Sequence, residues 1–209
     1  MSYSTCGVNR HDAITRFMET RAGLPVLDFA DLSGWESWLA SQPDDAAGLW
    51  LKLAKPGNAA SSLTKAQAID GALCHGWIDG QIDKYDDAWF LTRFTPRART
   101  SKWSEKNRNR AVQLIADGRV SPAGHARIDA AKAGGRWESA YAPASTATEP
   151  PDLRAALDAN PQARAFFDTL TGANRYAILY RVQTAKRPET RAARIAKFVA
   201  LCAAGETIH

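Results

Sequence analysis

The sequence predicts an α+β fold, mainly helical, with a small antiparallel sheet or hairpin in the N-terminal half and a helical C-terminal region. Three observations carry that reading. Two segments have the serine/threonine-to-glutamate/glutamine spacing of a capping box, SGWE at 33–36 and TKAQ at 64–67, each ahead of an apolar periodic run. Two β-rich runs, 77–83 and 88–95, flank a tight acidic connection and read as a hairpin. Beyond Ser101, proline or a hydroxyl residue recurs where each helix should begin.

In chain order, residues 1–25 show weak periodicity and read as a loosely ordered leader. The first box opens a short helix carrying Trp35, Trp38 and Leu39. GLWLKLA at 48–54 alternates partly and reads as a strand, broken by KPGN at 55–58. The second box starts a helix through His75, which Gly76 ends by adopting the left-handed conformation. The hairpin follows. Its register stays open, because a four-residue and a five-residue connection give Asp79 different partners on opposite faces. Ser101 or Ser104 caps a helix that ends at Gly118. Ser121-Pro122 opens another, ending at Gly134-Gly135. YAPASTATEPP at 141–151 reads as a linker, and Pro151, Pro161, Thr171 and Pro188 head four further helices. The expected organisation is thus a leader at 1–25, an α+β domain at 26–140, a linker at 141–151 and a helical region at 152–209 packed on the first.

Composition narrows the functional classes. The chain has 209 residues, 45% hydrophobic and 23% charged, as expected of a folded domain with a real core. Its three cysteines, Cys6, Cys74 and Cys202, are widely spaced and odd in number, which favours reduced thiols. With no secretory pattern and no apolar run of membrane-spanning length, the expectation is a cytoplasmic protein with no membrane insertion. The net charge of +5 is unevenly placed. Residues 93–110 hold seven basic side chains against one acidic, and residues 181–197 hold six against one. Such concentrations call for anionic partners inside or outside the chain.

The polar chemistry gathers in three stretches. TPRARTSKWSEKN at 95–107 sets Arg97, Arg99 and Lys102 beside Ser101 and Ser104 at a helix start, where unpaired N–H groups favour anions. On the following helix Trp103, Asn107, Ala111 and Leu114 share one face, so Asn107 falls on a stripe that should be buried and needs partners. In TAKRPETRAAR at 184–194, Arg187 and Arg194 flank Arg191, which falls inside an apolar stripe and needs a carboxylate, a carbonyl or an anionic ligand. The acidic hairpin is one candidate partner. GWIDG at 76–80 brackets Trp77 and Asp79 with glycines, as a stacking surface beside an acceptor or as a plain hairpin with a core tryptophan. The carboxylates at 79–87 lack calcium-loop spacing, the histidines form no HxxxH or HExxH pair, and no phosphate loop, dinucleotide fingerprint or nucleophile elbow occurs. Neither a metal nor a cofactor is expected. Cys74-His75 are adjacent and would diverge on a helix, which disfavours a thiol nucleophile.

Four segments in order, ALCHGWIDG at 72–80, TPRARTSKWSEKN at 95–107, SPAGHARIDAAKAGGRW at 121–137 and TAKRPETRAARI at 184–195, resemble the YdeI/OmpD-associated family, also labelled bacteriocin-protection proteins. The resemblance extends from about Leu49 to about Leu201. It implies a role in resistance to bacteriocins or antimicrobial peptides and brings no assigned catalytic residues. Trp77, Asp79, Pro96, Arg97, Ser101, Trp103, Ser104 and Asn107 match the family pattern, and with Arg99, Arg187 and Arg191 they form the expected ligand-binding set. Three functions follow from these residues: a non-catalytic protein binding a small anionic or polar ligand in a stress or protective role, a nucleic-acid binder using both basic windows with Trp103 for stacking, or an enzyme using Asp79 beside Arg97.

Overall fold

The structure is a computed structural model describing residues 19–58 and 63–208, so most of the expected leader lies outside the described residues. The chain divides into two units. Of the described residues, the first unit holds 19–58, 63–101 and 110–133, and the second 102–109 and 134–208.

The first unit is built on a five-stranded mixed sheet in the order β1-β2-β3-β5-β4. Strand β1 is Thr20–Arg21, β2 Leu24–Leu27, β3 Leu49–Ala54, β4 Trp77–Lys84 and β5 Trp89–Pro96. The β2–β3 pair is parallel and the other neighbours are antiparallel. Sequence reasoning missed β1 and β2: two and four residues are too few for a period to show, and β2 is selected by pairing with β3, a non-local event. The hairpin is present, closed by a five-residue connection between Lys84 and Phe90, and a bulge shifts its register by one residue. Asp79 pairs with Phe94, a bulge follows, and Ile82 pairs with Thr92 one residue out of step. At the turn, Asp86 Oδ1 accepts from the N–H groups of Ala88 (2.7 Å) and Trp89 (2.8 Å), which closes the acidic connection locally.

Strand β3 is apolar on both faces because both are covered. Leu49, Leu51 and Leu53 join Phe94, Trp77, Trp35 and Leu39 in one core, while Trp50 joins Leu24 and Leu91 in another. Lys52 is the exception on that second face; its ammonium lies 4.1 Å from the centre of the Tyr85 ring and 5.0 Å from that of Trp89.

Helix α1 (Leu32–Ala40) and α2 (Lys65–Cys74) carry the inner stripe. Thr64 and Gln67 form the expected capping box. The box expected at Ser33 does not form. Asp31 stands extended two residues earlier and accepts from Gly34 N–H at 2.8 Å, so Ser33 is already helical. Glu36 turns instead to Arg119 at 3.0 Å. Gly76 ends α2 at φ +74°, as expected. Helix α3 (Glu105–Ala116) begins in the second unit and ends in the first, where Arg110 makes a bidentate pair with Asp70 at 2.7 and 2.6 Å. Helix α4 (Pro122–Ala133) completes the unit.

The second unit is helical, with α5 at Pro151–Asp158, α6 at Pro161–Thr169, α7 at Gly172–Gln183 and α8 at Pro188–Ala203. Each begins where proline or a cap predicted it. Leu153, Leu157, Phe167, Ile178, Leu179, Val182, Ile195, Phe198 and Cys202 form its core. Residues 141–150 belong to this unit. They deliver Glu149, whose carboxylate accepts from Arg164 (2.7 and 3.2 Å) and Arg175 (2.5 Å). Those guanidiniums hold the Glu149 carboxyl below its ordinary range, the Arg164 hydrogen bonds contributing most. Among the described residues no helix is long and apolar enough to cross a membrane, and no group of three or more His, Cys, Asp or Glu is placed to hold a metal ion.

Candidate functional site

The two basic windows meet in the second unit. A bridge between Ser104 and Tyr141 fixes the chain there: Tyr141 N–H donates to Trp103 O (3.0 Å) and Glu105 N–H to Tyr141 O (2.9 Å). Ser104, rather than Ser101, serves the start of α3, its Oγ accepting from Asn107 N–H at 3.2 Å. This pairing turns the Trp103 ring inward at 2% exposure, edge-on to Trp137 with centroids 4.9 Å apart. It also sends Lys102 toward α7, with Nζ 3.5 Å from the Tyr180 hydroxyl and 5.0 Å from its ring centre.

Around these residues lies a slot of about 40 Å³, lined by Lys102 and Trp103 from the first window, Gln183, Thr184 and Lys186 from the second, and Arg136, Ser139 and Tyr141. That volume is enough for a few waters or one small oxyanion. No carboxylate is among the lining side chains. Arg136 reaches the slot by folding back over Gly134: a Cβ on that glycine would stand 2.2 Å from Arg136 Nη1. The sequence signal for Arg136 is GGRW at 134–137, which reads as a helix stop and as the end of the 121–137 segment that carries the resemblance, not as a site. Lys186 was seen as part of a charged window and not as a site residue.

The other expected site residues are distributed differently. Trp77 is in the core of the first unit, edge-on to Trp38 at 5.5 Å. Asp79 is half-buried on β4. Arg97 is 2% exposed, its backbone N–H donating to Gly76 O at 2.9 Å, while Arg99 is exposed and Ser101 half-buried. Neither arginine lines the slot. Asn107 is half-buried in the first turn of α3. Arg187 is exposed at the head of α8.

Arg191 has an intramolecular partner, and it is not the acidic hairpin. Nε and Nη2 donate to the Asp152 carboxylate at 2.5 and 2.8 Å, and Nη1 donates to Val182 O at 2.8 Å. The pair stands at one end of a shallow groove between α5 and α8 lined by Ala156, Ile195 and Val199. Arg191 in turn holds the Asp152 carboxyl below its ordinary range, chiefly by those hydrogen bonds.

Cys74 offers no nucleophile. Burial pushes its thiol up to about 11, with Arg119 pulling the other way, so it is protonated at neutral pH.

These features define an α+β protein whose sheet-bearing first unit is followed by a four-helix region with an internal ion-pair cluster. Residues 146–205 match the family model described as bacteriocin-protection, YdeI or OmpD-associated, and residues 27–127 match a domain of unknown function (DUF8412). Over residues 146–205 the helical region is therefore similar to the YdeI/OmpD-associated domain. Of the four segments that carried the resemblance, only 184–195 lies wholly inside that match; 72–80 and 95–107 lie in the other. No curated protein and no solved structure matches the chain.

Proposed function

We propose that the second unit binds a small oxyanion, a phosphate or carboxylate group, without turning it over, and that this binding serves the protective role in the family's description. One observation carries the reading: Lys102, Arg136 and Lys186, drawn from three separate segments, line one small slot beside Ser139 and Thr184. Cations converging on a partly desolvated hollow are the chemistry that recognises oxyanions, and the Ser139 and Thr184 hydroxyls, which donate to the carbonyls of Gly135 and Tyr180, shape its wall. The slot fits an anionic group and not a large substrate, which is why the proposal stops at binding.

A thermal-shift series at fixed ionic strength tests it, using phosphate, sulfate and citrate against chloride. Stabilisation at ten times the dissociation constant should reach about 1.4 kcal/mol. The Lys102→Ala, Lys186→Ala double variant should lose it while keeping its far-ultraviolet spectrum. Equal melting temperatures in all four salts defeat the proposal. A fluorescent oligonucleotide in the same assay addresses the nucleic-acid reading. Against that reading, Arg110 and Arg191, one from each basic window, are committed to Asp70 and Asp152.

A further inference from the structure

The first unit contains a second hollow, of about 340 Å³, that the reading above does not use. Its floor is the junction between the end of α2 and the start of α4. Ser121 clamps that junction, its N–H and its hydroxyl both donating to the Cys74 carbonyl at 2.9 and 2.8 Å. Two glycines permit the approach. A Cβ on Gly124 would stand 2.3 Å from Cys74 O, and one on Gly76, already at φ +74°, would stand 3.0 Å from Ala123 O and 2.8 Å from Arg127 Cγ. Backbone on backbone leaves this floor little freedom to rearrange, so the hollow is formed before anything enters it.

Its walls are apolar: Leu39, an edge of Trp77, Pro43 and Pro96. Gln42, His75 and Ser121 also line it, and its two charged groups, Arg127 and Asp44, carry opposite signs. Arg127, laid across Gly76, faces Asp44 at 3.7 Å, and among the described residues that is the one polar partner of either. The contact is longer than a hydrogen bond, and the Asp44 side chain is 91% exposed, so neither group is saturated. The start of α4 adds partial positive charge on the Arg127 side.

A simple anion entering here would meet Asp44, and a simple cation would meet Arg127. A molecule carrying both charges across a single carbon satisfies both while its apolar part lies against the proline and tryptophan wall. We infer that this hollow binds an α-amino carboxylate with an apolar side chain, its carboxylate on Arg127 and its ammonium on Asp44. The segments 72–80 and 121–137, singled out in the sequence and otherwise unused by the slot in the second unit apart from Arg136, supply its floor.

Isothermal titration with three probes tests this on the full chain: L-leucine, 4-methylpentanoate, which lacks the ammonium, and L-leucinamide, which lacks the carboxylate. L-leucine should bind, and each of the others about tenfold more weakly, since each leaves one charged group unanswered. Arg127→Gln should weaken L-leucine by about tenfold and leave L-leucinamide unchanged. Asp44→Asn, at a fully exposed position that the fold does not need, should bring L-leucine and 4-methylpentanoate within about twofold of each other. The inference is overturned by absence of heat with L-leucine up to about 10 mM, by equal affinity for the three probes, or by L-leucine binding that Arg127→Gln and Asp44→Asn both leave intact. The Lys102→Ala, Lys186→Ala variant should bind L-leucine normally, so this site and the oxyanion slot fail or stand separately.

Discussion

Thr92 is buried completely in β5, and its hydroxyl has no hydrogen-bond partner among the described residues. It pairs across the sheet with Leu51, and strand alternation sets it on the same face as Phe90 and Phe94, in the core beneath α1 and α2. Thr92→Val keeps the branched shape and replaces the unsatisfied hydroxyl by a methyl group. A buried hydroxyl without a partner costs about 1–3 kcal/mol by mutational measure. The lower end applies here, because the threonine already packs its own methyl and the strand needs no rearrangement. The expected gain is about 1 kcal/mol, or about 3–5 °C in melting temperature for a unit of this size. Urea unfolding followed by tryptophan fluorescence is the assay, since five of the seven tryptophans are in the first unit and report on it directly. The midpoint should rise with an unchanged slope. Thr92→Ser, which keeps the unpaired hydroxyl and loses the methyl, should fall below the parent by about 1 kcal/mol. If Thr92→Val unfolds at the same or a lower urea concentration, the hydroxyl is satisfied and the reasoning fails.

Gly124→Ala, in a helix where alanine ordinarily stabilises by about 1 kcal/mol, should instead destabilise by about 2 kcal/mol or more, because the new Cβ meets the Cys74 carbonyl; the sign of the change in urea midpoint decides it. Glu149→Gln removes the carboxylate shared by Arg164 and Arg175 and should cost the second unit about 2–3 kcal/mol, less than a fully buried pair because both guanidiniums are partly exposed; the loss is read as a lowered melting transition in circular dichroism. Acid should act in two windows. Burial pushes the His75 imidazole down from its ordinary 6.5, with Glu36 opposing, so the unfolded chain binds that proton more readily; its stability contribution is complete above about 6.5 and declines as pH falls. Glu149 and Asp152 are also depressed, so their contribution is held above the ordinary carboxylate values of 4.5 and 3.8 and is lost as pH falls through their lowered values. His75→Gln should abolish the upper step in a melting-temperature profile and leave the lower one.

Local chemistry accounts for what the sequence made legible. The heads of α5, α6 and α8 were readable because proline without an N–H loses nothing at a helix start and forbids what precedes it. The capping box at Thr64 was readable for the same reason, since donors and acceptors three residues apart close on each other. The box at Ser33 failed because an equally good cap, Asp31, stood two residues upstream, and the spacing rule cannot rank two competitors. Hairpin register is not readable from the turn alone because the bulge between Asp79 and Ile82 shifts the pairing of Asp79 one residue from the register set at the turn.

The site depended on information of another kind. Arg110 finds its carboxylate 40 residues earlier and Arg191 finds its own 39 residues earlier, and no local pattern announces either. In the two windows these arginines are tied to single positions: a planar, forked donor fits a carboxylate in one orientation and is held by it. The lysines behave otherwise. Lys102 and Lys186 carry point charges on flexible stems, and they are the basic residues of the windows that line the slot. A charge window in a sequence is thus a sum of two populations, one locked in carboxylate pairs within the fold and one that lines the slot. Arg110 and Arg191 fall in the first population and Lys102 and Lys186 in the second, a division that charge counting alone does not make.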